Sequence, residues 1–74
     1  MGILNINDSR YIRDFLRYEE LNIKSLTQKI QKILELKDIK INQDRLEESV
    51  SEFLFGKEYT DLSEICDFIE NLVQ

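Results

Sequence analysis

Apolar residues return every three or four positions in four stretches of this chain, the spacing that stacks side chains on one face of an α-helix. With residues placed at successive 100° steps, Leu26, Ile30, Ile33 and Leu34 share one stripe, and Leu46, Val50, Phe53 and Leu54 share another. Leu62, Ile65, Cys66, Ile69, Leu72 and Val73 align in the last stretch. The first stretch is broader. Tyr11, Phe15 and Tyr18 form one stripe, Ile12 and Leu16 form a second, and Glu19 falls between them. Either this helix is central and buries both stripes, or one stripe is left over for a partner.

Polar residues ahead of each stretch mark where the helices begin. Asp8-Ser9 precedes the first run, and Ser25 stands three residues before Gln28, the spacing of a capping box. Asn42 follows Ile41, which is placed to staple against Leu46. Thr60-Asp61 opens the last run, with Glu64 three residues after Asp61. With Asp8, Ser25, Asn42 and Thr60 as caps, the starts are evenly spaced and leave room for four helices of matched length. The expected fold is all-α: one domain over 1–74, built as a compact bundle of about four short helices at roughly 9–22, 26–36, 43–55 and 61–73. Ile12, Leu16, Leu26, Ile30, Ile33, Leu46, Val50, Phe53, Ile65 and Ile69 are its expected core, and Gly56 its expected stop after helix 3. Ile39 and Ile41 alternate with polar neighbours, so 37–41 reads as an extended link. A short strand pairing with Ile3–Ile6 is the alternative there.

Composition narrows the class. The chain has no proline and two glycines, which favours helices over a tightly turned sheet. No apolar run approaches the roughly 18 residues of a membrane helix, and no signal-peptide order is present, so a soluble, cytoplasmic protein with no membrane association is expected. There is no histidine, which removes the commonest general base and metal ligand. The single Cys66 allows no internal disulfide and no zinc cluster, and it falls on an apolar face where a buried, inert thiol is expected. No glycine-rich phosphate loop or calcium loop occurs. No enzyme activity, cofactor or metal is therefore expected.

Charge is the feature that points to partners. Residues 1–40 carry eight Lys/Arg and six Asp/Glu, a net of +2, whereas residues 41–74 carry two and nine, a net of −7; together these make the −5 of the chain. Asp44, Glu48 and Glu52 stand at i, i+4 and i+8 on helix 3, and Glu64 and Asp67 make a polar edge on helix 4. Their positions opposite the apolar stripes turn them outward. Some of this acidity suits helix N-termini, and some serves solubility. The remainder reads as a docking surface for a basic partner, since a negative patch speeds encounter with a positive one. Helices 2 and 3 make a poor helix-turn-helix, because the second would present Asp44, Glu47, Glu48 and Glu52 to phosphate.

The small acidic size and four-helix plan resemble immunity proteins that neutralise bacteriocins or nuclease toxins, and small phage-encoded inhibitors of host machinery. The resemblance is one of architecture and charge, without a diagnostic motif, and it implies a regulator or inhibitor that acts by binding protein. Three functions are expected in order. The first is docking on a protein partner through Tyr11, Phe15, Tyr18, Asp44, Glu48, Glu52, Glu64 and Asp67. The second is homodimerisation through the aromatic stripe of helix 1. The third is a DNA-binding regulator using the basic first half, with Arg10, Arg13, Arg17, Lys24, Lys29 and Lys32.

Overall fold

The computed structural model describes residues 2–73. It contains four α-helices: α1 (Ile6–Tyr18), α2 (Ile23–Leu36), α3 (Gln43–Leu54) and α4 (Leu62–Leu72). The all-α, four-helix expectation holds, and no strand forms among the described residues. The link at 37–41 and the segment at 3–5 are therefore irregular rather than a strand pair.

Two helices begin three residues earlier than the sequence suggests. The N-cap of α1 is Asn5, whose side chain accepts from the Asp8 amide (3.0 Å) while the Asp8 carboxylate accepts from the Asn5 amide (2.9 Å). Asn22 and Ser25 form the same reciprocal pair at the start of α2, at 2.8 and 3.0 Å. Asp8 and Ser25 are thus the third helical residues of capping boxes and not the caps. Because Asn22 must be extended to cap α2, α1 ends at Tyr18, with Glu19 already in an extended conformation, rather than running to residue 22. Asn42 caps α3 as expected, and α4 is capped by Asp61 rather than Thr60.

Two left-handed residues end the middle helices. After α2, Asp38 has φ 62°; its amide donates to the Glu35 carbonyl (3.0 Å) and the Ile39 amide donates to the Leu34 carbonyl (2.9 Å). These are the two bonds of a Schellman motif with aspartate where glycine is usual. After α3, Phe55 (φ −60°, ψ 122°) and Gly56 (φ 75°) form a type II turn closed by the Lys57 amide on the Leu54 carbonyl (3.0 Å). Glycine is at home there, but an L side chain in this region costs roughly 1–2 kcal/mol, against about 0.5–1 kcal/mol of chain entropy lost by glycine. Asp38→Gly is therefore expected to stabilise the chain by about 0.5 kcal/mol, a rise of about 2–4 °C in Tm for a domain of this size. A thermal melt that drops on this substitution would show that the aspartate earns its place by some other contact.

The chain divides into two compact units, Met1–Glu20 with Glu58–Gln74 and Leu21–Lys57. In the first, α1 packs on α4; Ile12 and Phe15 face inward with Ile65 and Ile69. In the second, α2 packs on α3 and encloses Leu26, Ile30, Ile33, Leu34, Leu46 and Val50. Leu16 and Phe53, expected in the core, are only half-buried, and Phe15 and Leu34 are buried in addition. On α1 the reason is directional. The helix buries the seam between its two stripes, taking Ile12 from one and Phe15 from the other. At Phe53 the Lys57 ammonium lies 5.1 Å from the ring centroid, so this ring sits at an edge beneath a cation.

A carboxylate ties the N-terminal segment to α4. The Ile3 and Leu4 amides both donate to Glu70 Oε1, at 2.8 and 3.2 Å. The same carboxylate occupies the space that a Cβ on residue 2 would need, which is why Gly2 fits there.

Candidate functional site

The acidic residues of α3 form one exposed surface of the Leu21–Lys57 unit. Leu46 and Val50 are fully buried, so the residues half a turn away point to solvent. Asp44, Glu47, Glu48 and Glu52 are all exposed. Together with Ile23 and Ser51 they line a shallow depression of about 390 Å³. Ile23, the first residue of α2, is 39% exposed, an apolar side chain among four carboxylates. It also lines an adjoining depression of about 410 Å³ with Lys24, Thr27, Gln28, Gln43 and Glu47. Ile23 and Glu47 were absent from the residues proposed for docking on sequence grounds. The misplaced cap explains the first, since a helix starting after Ser25 leaves Ile23 in a loop.

In the other unit, Glu64 and Asp67 are exposed on α4 as expected. Glu64 is occupied locally: its carboxylate accepts from the Thr60 hydroxyl (2.8 Å), and its amide donates to Asp61 (2.8 Å). It therefore serves the start of the helix as much as the surface.

The aromatic stripe of α1 does not remain together as a surface. Tyr18 is 74% exposed, with the Arg17 guanidinium carbon 5.9 Å from its ring centroid, and Tyr11 is half-buried. Phe15 is 2% exposed and belongs to the core, so its ring is withdrawn from any partner. A different line of residues faces outward on this helix. Ile6, Arg10, Arg13 and Arg17 are separated by four, three and four positions and are all exposed. Arg13 approaches Asp14 at 3.7 Å, with both side chains about half exposed.

Catalytic candidates are few. Cys66 is half-buried rather than enclosed. Burial pushes its thiol above the ordinary value, the nearby Asp67, Glu70 and Asp8 carboxylates push the same way, and a hydrogen bond with Ser9 opposes them. A thiol held protonated in acidic surroundings is a poor nucleophile. Among the described residues, no three Cys, Asp or Glu side chains are grouped so as to hold a metal ion. No helix among them is long and apolar enough to cross a membrane. Comparison of the chain with protein-family models, with curated proteins and with solved structures returns no match.

Proposed function

We propose that this chain is a non-catalytic binding protein, of regulator or inhibitor type, that docks on a basic protein partner through the exposed face of α3. The observation that carries this reading is Ile23, part-exposed in a depression whose rim is Asp44, Glu47, Glu48 and Glu52. An apolar residue ringed by carboxylates complements a segment that presents one apolar anchor flanked by Lys or Arg. The anchor supplies burial and the charges supply orientation and encounter rate. The half-buried, proton-retaining Cys66 and the absence of histidine support the non-catalytic part of the reading.

Quantitative capture from the extract of the native host tests it, with the wild type compared against Glu48→Lys/Glu52→Lys. Both positions are exposed, so folding is little affected. The wild type is expected to retain a basic protein at low salt that the double variant loses. With that protein purified, the association rate of the variant is expected to fall about tenfold and its salt dependence to flatten. An identical set of captured proteins would reduce the acidic face to a solubility feature.

A further inference from the structure

The acidic face of α3 has a counterpart on the same chain. Steps of four, three and four residues place Ile6, Arg10, Arg13 and Arg17 within about 60° of arc on α1, in a single file parallel to its axis. The file lies across the helix from Ile12 and Phe15, which are buried, and all four of its members are exposed. From Arg10 to Arg17 it rises about 10 Å, and from Asp44 to Glu52 the acidic file rises about 12 Å. The three guanidinium groups therefore match the file of Asp44, Glu48 and Glu52 in sign and length, with Glu47 beside that file and Asp14 within 3.7 Å of Arg13 on the other. Each file also carries one exposed isoleucine, Ile6 on α1 and Ile23 beside α3. Guanidinium groups are suited to this role, because their planar donor sets grip carboxylates in two-point contacts.

We infer that the arginine face of α1 docks on the acidic α3 face of a second copy of this chain. This inference rests on the reading of α3 as a docking surface and names one of its occupants. Ile6 of one copy would meet the Ile23 depression of the other, with the arginine file laid along Asp44, Glu48 and Glu52. Exposed ion pairs are individually weak, and a net charge of −5 on each copy opposes approach, so the association is weak and depends on salt. A basic protein partner competes with it for the same face.

Sedimentation of the full chain over a wide concentration range, at about 0.01 M and about 1 M salt, tests this, because the screening length falls about tenfold between the two. The average mass is expected to rise with concentration at low salt and to return to the monomer value at high salt. Arg10→Glu/Arg13→Glu/Arg17→Glu and Glu48→Lys/Glu52→Lys are each expected to weaken self-association by about tenfold or more. Mixing the two variants is expected to restore it, since each then offers the other an unaltered face. Arg10→Gln/Arg13→Gln/Arg17→Gln serves if the glutamate variant melts early. A wild type that stays monomeric at every concentration overturns the inference, as does association that persists in both variants or is not restored on mixing. Salt-sensitive retention of duplex DNA by the arginine face, without self-association, overturns it in favour of a polyanion. If the wild type is monomeric but Glu48→Lys/Glu52→Lys still loses its captured basic protein, the second copy is excluded while α3 remains a docking surface. If that variant changes neither assay, both readings fail.

Discussion

Ile30→Ala is expected to remove about 2–5 kcal/mol of stability, the usual cost of truncating an enclosed aliphatic residue and leaving a partly uncollapsed cavity. Ile30 has no exposed surface, and it lies in the helix pair that also buries Leu26, Ile33, Leu34, Leu46 and Val50. A chain of 74 residues has a total stability of only about 4–11 kcal/mol at the usual rate per residue. The variant is therefore expected to be partly unfolded at room temperature if the wild type lies at the lower end of that range. Urea unfolding followed by far-ultraviolet circular dichroism measures the difference. Ile23→Ala is the comparison, since its side chain keeps much of its surface in water and its loss should cost well under half as much. Equal costs at the two positions would mean that Ile30 is not in the core.

A gain is expected from Thr27→Val. Thr27 is 4% exposed on the inner side of α2, and its hydroxyl oxygen meets no hydrogen-bond partner. A buried hydroxyl without a partner carries a desolvation cost of about 1–3 kcal/mol. Valine has nearly the same shape and a similar helix propensity, so the substitution removes the polar atom while leaving the packing in place. Stability should rise by about 1 kcal/mol or more. Denaturant titration of the pair of proteins decides it. A loss of stability would indicate that the hydroxyl bonds back to the helix backbone in solution. The position also borders the depression shared with Ile23, Gln43 and Glu47.

The helical class and most of the core were legible from periodicity alone, because burial of one face imposes the 3.6-residue repeat whatever lies opposite. The helix starts were harder. In Asn5–Asp8 and Asn22–Ser25 both members are good caps, and a reciprocal box satisfies two amides from either end of the pair. At α2 the cue that separates them is the apolar pair Leu21 and Leu26 around the true cap, the arrangement that Ile41 and Leu46 hold around Asn42; at α1 the matching position after Leu4 is Ser9, and the cue is missing. Starting both helices three residues late also altered the candidate site. It placed Ile6 and Ile23 in loops, and these are the two exposed isoleucines that accompany the arginine and acidic files. The outward direction of Asp44, Glu48 and Glu52 was legible, since it follows from Leu46 and Val50. The fate of the aromatic stripe was not. A wheel diagram shows two candidate stripes on α1, but only the helix packed against it selects the seam through Ile12 and Phe15.

The Glu70 clamp joins parts of the chain that lie far apart in sequence. The turn that brings α3 back onto α2 spans only 37–42, whereas the Ile3 amide and the Glu70 carboxylate are 67 residues apart in the chain. Closing the longer loop costs about 2 kcal/mol more in chain entropy. Two charge-assisted bonds return about 1.5–3 kcal/mol each and, together with the burial of Ile12, Phe15, Ile65 and Ile69 between α1 and α4, offset that cost. The α2–α3 pair can form from contacts between near neighbours in sequence. The bonds from Ile3 and Leu4 to Glu70 are expected to close last. Loss of these two bonds frees the Ile3 and Leu4 amides, while the apolar contacts of Ile12 and Phe15 with Ile65 and Ile69 still hold α4 on α1.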